Sequence, residues 1–102
     1  MNQSITFEFE NDVWHYNTAK GSWHFITLPV SLSKEIKNII GDQTKGWGSI
    51  PVDVCVGNTK WNTSIFPDKK LNSYVLPLKA SVRKSEKISD KQVIQVEITI
   101  EF

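Results

Sequence analysis

Apolar and polar residues alternate along three stretches of the chain, with the period of two that is typical of half-buried strands. In the first stretch, Ile5, Phe7 and Phe9 alternate with polar residues. The second stretch covers residues 50–56 and the third covers residues 94–102. The pattern therefore predicts three main strands, one at each end of the chain and one in the middle.

Segments with turn chemistry separate further, shorter strands. Residues 11–12, 57–58 and 66–70 carry the Asn, Asp, Gly and Pro residues that favour turns, and residues 41–49 are rich in glycine. The shorter strands are predicted at residues 14–16, 23–28, 61–65 and 73–76.

The dipeptide Leu-Pro occurs twice, each time between a predicted strand and a stretch with helical spacing. The two prolines, Pro29 and Pro77, are 48 positions apart. Proline cannot donate a hydrogen bond to a sheet, so each one is expected to end its strand. The repeat predicts two similar strand–proline–helix units related by a pseudo-twofold axis.

Two short helices are predicted after these prolines. The first covers residues 31–40, because its apolar residues fall on one helical face, and Ser31 or Ser33 could cap its start. The second covers residues 79–86, with Val82 facing inward. Together the elements predict one domain over residues 1–102, a mostly-β barrel of six to seven strands with two short helices.

Composition and the lack of certain motifs argue against several classes of function. The net charge of +1 creates no global attraction to nucleic acid or to an anionic membrane. Cys55 is the single cysteine, so neither an internal disulfide nor a multi-cysteine metal site is expected. No phosphate-binding loop, dinucleotide fingerprint or nucleophile elbow occurs, so no cofactor is expected. The start of the chain resembles no signal peptide and no apolar run reaches membrane-span length, which predicts a cytoplasmic protein without membrane contact.

Three motifs in order, at residues 46–52, 57–68 and 73–84, resemble the bacterial and archaeal family called domain of unknown function 1905. The resemblance implies a small closed β-barrel with a double-split, swapped-hairpin layout. A fainter resemblance, carried by residues 74–77, 82–83 and 88–90, is to the hairpins of antitoxins and transition-state regulators. Members of that second group bind DNA, although this chain lacks the glycine that both families place before Asp90.

Aromatic and basic residues supply the candidate binding groups. Trp23 and Trp61 are expected to pack in the core or at a barrel end. Trp47 lies between two glycines, which would let its ring face inward as a plug or outward as a contact. The basic candidates are spaced to share one face of the second helix, and Arg83 is the only arginine of the chain. They are Lys79, Arg83, Lys84 and Lys87.

Catalytic and metal-binding chemistry has weaker support in the sequence. His15 and His24 have no partner at a recognised metal-ligand spacing, so structural or surface roles are favoured. The sequence therefore favours a non-catalytic binding or interaction module, with a protein partner or a second copy as candidate partners. One alternative is nucleic-acid binding through the basic helix face. The other is a small-molecule binder or small enzyme with a pocket near Trp47, Trp61 and Arg83.

Overall fold

The computed structural model describes residues 3–40 and 48–102, which form six antiparallel strands and two helices. The strands close into a barrel in the order β1-β2-β5-β4-β3-β6, which confirms the mostly-β barrel with two short helices. Neither helix is long and apolar enough to cross a membrane. The elements are β1 (Ser4–Thr18), β2 (Gly21–Thr27), α1 (Val30–Ile40), β3 (Ile50–Val56), β4 (Thr59–Asp68), β5 (Ser73–Pro77), α2 (Ala80–Glu86) and β6 (Val93–Glu101).

The strand order has a twofold pseudosymmetry. The chain divides into two ββαβ units, β1-β2-α1-β3 and β4-β5-α2-β6. Exchanging β1 with β4, β2 with β5 and β3 with β6 leaves the order of strands around the barrel unchanged. Each unit therefore supplies the same part of the barrel, and the strands of the two units interleave.

Hydrogen bonds at the ends of β2 and β5 fix the register of this pseudosymmetry. The Leu28 N–H donates to the Tyr74 carbonyl at 2.9 Å, and the Leu78 N–H donates to the His24 carbonyl at 2.8 Å. Positions 28 and 78 differ by 50, as do positions 24 and 74. The two helices also begin 50 positions apart, at residues 30 and 80. Along β2 and β5 and at the starts of the two helices, residues 50 apart are therefore structurally equivalent.

The prediction that the two prolines occupy matching corners is wrong by two positions. Pro29 immediately precedes α1, whereas Pro77 is the last residue of β5 and lies opposite Phe25 of β2. Two more residues, Leu78 and Lys79, separate Pro77 from α2. The Leu-Pro repeat indicated the duplication correctly but placed it in the wrong register.

The barrel interior follows the alternating pattern that the sequence predicts. The inward-facing residues of β3 and β6 are almost fully buried, at positions 50, 52, 54 and 56 and at positions 94, 96, 98 and 100. From α1, Ile36 and Ile40 pack onto this core. Ser33 does not cap α1; its buried hydroxyl accepts a hydrogen bond from the Tyr74 N–H at 3.1 Å.

Two predicted turns are parts of strands instead. β1 continues through residues 11–12, because it pairs with β6 up to Asp12 and with β2 from Val13 onward. Where β1 changes partner, the Asn11 side-chain amide donates a hydrogen bond to the Thr27 carbonyl at 2.9 Å, which links β1 to the end of β2. Likewise residues 66–68 pair with β5, and the turn begins after Asp68, which accepts hydrogen bonds from two backbone N–H groups of that turn.

The C-terminal end of α2 is anchored to the β3–β4 hairpin. The Glu86 carboxylate accepts a hydrogen bond from the Thr59 hydroxyl at 2.6 Å. Gly57 has a φ of 57°, and a Cβ at this position would overlap the Glu86 carboxylate. Glycine is therefore favoured by the positive φ of the turn, and a larger residue would have to displace the Glu86 side chain from Thr59. The main packing partner of α2 is β4, whereas that of α1 is β5.

Candidate ligand-binding cleft

A cleft of about 380 Å³ lies between the start of α2, the start of β2 and the middle of β4. We name it the α2 cleft. Because α2 packs on β4 rather than on β2, a gap is left between the helix and β2. The residues that give this cleft its chemical character are Lys20, Trp23, His24, Trp61, Lys79 and Arg83.

Three of the residues selected from the sequence meet in this cleft, namely Trp61, Lys79 and Arg83. Trp61 is 9% exposed and lies opposite Val54, so it packs in the barrel as expected and presents little surface to the cleft. Trp47 lies outside the described residues.

The four basic residues do not form the single helix face that their spacing predicts. Lys79 precedes the first turn of α2 and Lys87 follows the last, in a left-handed conformation with φ of 53°. Lys84 and Lys87 are exposed and do not line the α2 cleft. The helix spans seven residues only, so helical spacing does not extend over all four positions.

Arg83 is half-buried at the edge of the cleft. Its Nε–H donates to the Leu78 carbonyl at 3.1 Å, which fixes the inner part of the guanidinium group. Within residues 3–40 and 48–102, no carboxylate forms an ion pair with Arg83. Its charge is therefore not neutralised by any described side chain.

His24 is the most perturbed group of the cleft. Burial, followed by the positive charges of Arg83 and His15, lowers the pKa of His24 below its ordinary value of 6.5, and Asp90 acts in the opposite direction. This shift favours the neutral imidazole over the protonated one. Its Nδ1 atom is buried and has no hydrogen-bond partner among the described residues.

A histidine–aspartate pair, His15 and Asp90, lies next to His24 and does not line the cleft. His15 lies directly opposite His24 on β1, with the two ring centroids 5.8 Å apart. The Nδ1 of His15 is 2.9 Å from Oδ1 of Asp90. This hydrogen bond lowers the pKa of the Asp90 carboxyl. Across the described parts of the chain, no group of three His, Cys, Asp or Glu side chains is arranged to hold a metal ion.

Sequence reasoning favoured a structural or surface role for His24, and it placed Trp23 in the core or at a barrel end, which is wrong. Trp23 is 57% exposed, because Ile26 and Leu28 set the inward face of this segment and Trp23 falls on the other face, opposite Tyr16. The pairing could have been found: a hairpin with a two-residue turn at residues 19–20 places His15 opposite His24.

The lining of the α2 cleft carries charge of one sign. Lys20, Lys79 and Arg83 line it, and among the described lining residues there is no aspartate or glutamate. The chain as a whole has nearly balanced charge, with 12 basic and 11 acidic residues, so this separation is local. A cleft of this kind favours anions over cations.

A second cleft, of about 330 Å³, lies at the equivalent end of the other unit, between α1 and the β4–β5 turn. Its lining includes Ser33 and Tyr74, which are equivalent to Arg83 and His24 in the pseudosymmetry. It also includes Gly48, the first described residue after the gap at 41–47.

The interleaved ββαβ units and the closed six-stranded barrel define the class, a small pseudo-twofold β-barrel domain with one helix at each unit. The family model described as "Domain of unknown function (DUF1905)" matches residues 9–98 of this chain. The chain belongs to this family, which confirms the resemblance drawn from its three motifs. A search of curated proteins finds no match.

Proposed function

We infer that this protein is a non-catalytic binding module that holds a small ligand in the α2 cleft. The observation that carries this inference is the convergence of Trp61, Lys79 and Arg83, from β4, the linker before α2 and α2 itself. A volume of about 380 Å³ lies near the lower end of the range of ligand pockets. The cleft therefore suits a ligand of about one or two rings.

The contacts of the cleft support binding rather than catalysis. A nucleophile needs a base within hydrogen-bond reach. Ser22, which lines the cleft, donates instead to Oδ1 of Asn17 at 2.6 Å. The His15–Asp90 pair has the form of a general base but does not line the cleft. Among the described lining residues, no nucleophile–base pair is formed.

A blocking substitution tests the inference. Ala80 is exposed and lines the cleft at the first residue of α2, whereas its exposed neighbour Ser81 does not line it. We expect Ala80→Phe to fill the cleft and Ser81→Phe to leave it open, with both variants folded. Small aromatic fragments would be screened by two-dimensional amide NMR, in which hits should shift the indole N–H signals of Trp23 and Trp61.

The expected result is that Ala80→Phe abolishes these shifts while Ser81→Phe keeps them. Fragments that bind equally to both variants, or that shift signals only on the opposite side of the barrel, would show that the α2 cleft is not the binding site.

A further inference from the structure

We propose that the ligand of the α2 cleft is an aromatic anion, in which a flat ring carries a carboxylate that Arg83 grips. This inference rests on the proposed function, because it names the ligand class of the same cleft. It follows from three observations: the unneutralised guanidinium group, the charge of the lining, and the exposed indole at its edge.

The first observation is the state of Arg83. Arginine cannot lose its proton in a protein, so its charge must be balanced by a neighbour or by solvent. No described carboxylate pairs with it, and half-burial reduces its contact with water. The bond from Nε to the Leu78 carbonyl leaves the two terminal nitrogens of the guanidinium group as donors. Such a planar pair of donors matches the two oxygens of a carboxylate.

The second observation is the charge around Arg83. Lys20 and Lys79 add positive charge from two other segments, and no acidic residue in the described part of the lining competes for the guanidinium group. An anion would therefore meet three cations without displacing an internal ion pair. A cation would meet only repulsion, and a neutral ligand would leave Arg83 unbalanced.

The third observation is the aromatic surface. Trp23 lines the cleft and is 57% exposed, which is a large apolar area to leave in water. Trp61 also lines the cleft but is 9% exposed, so the aromatic surface is that of Trp23. Aromatic rings stack on such surfaces in offset or edge-to-face arrangements. A ligand that combines a flat ring with an anionic group would use Trp23 and Arg83 together.

The pseudosymmetry supplies a matched variant for the test. The residue equivalent to Arg83 in the other unit is Ser33, so Arg83→Ser installs a side chain that the same fold already accepts at this helical position. Arg83→Lys keeps the charge but removes the paired donors. Lys84→Ser removes one charge from the neighbouring position of α2, outside the cleft.

The experiment compares four compounds by isothermal titration calorimetry and amide NMR: 1-naphthoate, the neutral 1-naphthalenemethanol, 1-naphthyl phosphate and acetate. We expect 1-naphthoate to bind the native protein about ten to a hundred times more tightly than the alcohol, the range that a charge-assisted hydrogen bond supplies. Acetate, which lacks the ring, should bind at least tenfold more weakly than 1-naphthoate. Arg83→Ser should remove the preference for the anion, Arg83→Lys should reduce it several-fold, and Lys84→Ser should keep it.

The outcomes separate this inference from the proposed function. If the alcohol binds in the cleft as tightly as 1-naphthoate, or if Arg83→Ser and Arg83→Lys both keep the preference, the aromatic-anion inference is overturned while the binding module stands. If the phosphate binds more than tenfold better than the carboxylate, the carboxylate assignment is overturned. If none of the four compounds binds in the cleft, while other fragments do, the inference fails alone; if no fragment binds there, the proposed function fails with it.

Discussion

The two units of the barrel place different side chains on the same backbone frame. Ser33 and Arg83 occupy equivalent positions in α1 and α2, and Tyr74 and His24 occupy equivalent positions in β5 and β2. In the first pair of elements, Ser33 is buried and its hydroxyl accepts the Tyr74 N–H at 3.1 Å. In α2 and β2, the Arg83 Nε–H donates a hydrogen bond to the Leu78 carbonyl, and the Arg83 side chain lines the α2 cleft. The same helical position therefore carries a packing residue, Ser33, in α1 and a residue suited to ligand binding, Arg83, in α2.

The helices also differ in what they pack against. α1 lies on β5, to which Ser33 ties it, whereas α2 is drawn to β4 by the bond between Glu86 and Thr59. This anchor leaves the space between α2 and β2 that forms the α2 cleft. The two ends of a duplicated fold thus differ because each helix packs on a different strand, and no new element is needed.

The largest expected effect tests whether the pseudosymmetry is energetic as well as geometric. Leu28 and Leu78 are equivalent and almost fully buried. Leu28→Ala and Leu78→Ala should each lower the free energy of unfolding by about 2–5 kcal/mol, because each leaves a cavity in the core. Urea unfolding monitored by circular dichroism measures both, with Leu71→Ala, at an exposed leucine, as the control. A cost below about 1 kcal/mol for only one of the two would contradict the equivalence.

A smaller effect separates the packing role of Ser33 from the role proposed for Arg83. Ser33→Ala leaves the buried Tyr74 N–H without an acceptor and should cost about 1–3 kcal/mol. Arg83→Ser should cost less than about 1 kcal/mol, because water can reach the freed Leu78 carbonyl from the cleft. Both values come from the same unfolding assay. Equal costs would mean that Arg83 is a packing residue like its counterpart.

Much of the fold could be predicted from the sequence, because the strands with one buried face show a strict period of two. Val52, Val54 and Ile98 are examples, and the structure buries all three. The segment around Trp23 could not be placed, because aromatic or aliphatic residues occur on both of its faces. Only the pairing with β1 decides which face is inside, and that pairing is a property of the whole barrel.

The candidate site was predictable only in part. Arg83 and Trp61 were selected for their chemistry, and the structure brings both to one cleft, which the sequence could not show because it depends on where α2 packs. His24 was passed over because its partner, His15, is distant by the spacing rules of helices and close only across two strands. The prediction that Pro29 and Pro77 are equivalent failed for a related reason. The equivalent positions are defined by the backbone hydrogen bonds of Leu28 and Leu78, which a repeated Leu-Pro dipeptide does not reveal.

The smallest expected effect is on the pH dependence of stability, to which His24 and Tyr74 should contribute at opposite ends of the pH range. Because the pKa of His24 is lowered from 6.5, the unfolded chain binds this proton more readily, so its contribution to stability is complete above pH 6.5 and is lost as pH falls through the lowered pKa. Burial raises the pKa of Tyr74 above 10.0, so its contribution is complete below pH 10 and is lost at higher pH.

Unfolding midpoints measured across pH test both signs. His24→Gln should flatten the acidic decline below pH 6.5, and Tyr74→Phe should flatten the alkaline decline. The Asp90 carboxyl acts at lower pH, because its own pKa is lowered from 3.8. An acidic decline between pH 6.5 and 4 that is unchanged in His24→Gln would refute the assignment of this proton to His24.

The interleaving of strands makes each unit dependent on the other for its hydrogen bonds. β2 pairs with β5, and β3 pairs with β6. Each of these pairs joins the two units, so neither ββαβ unit can complete its strand pairing alone. Cutting the backbone in the β3–β4 turn, between Gly57 and Asn58, should therefore give two fragments that are unfolded separately and regain the native spectrum when mixed in equal amounts. The barrel thus behaves as a permanently tethered heterodimer, in which covalent linkage raises the local concentration of two complementary halves.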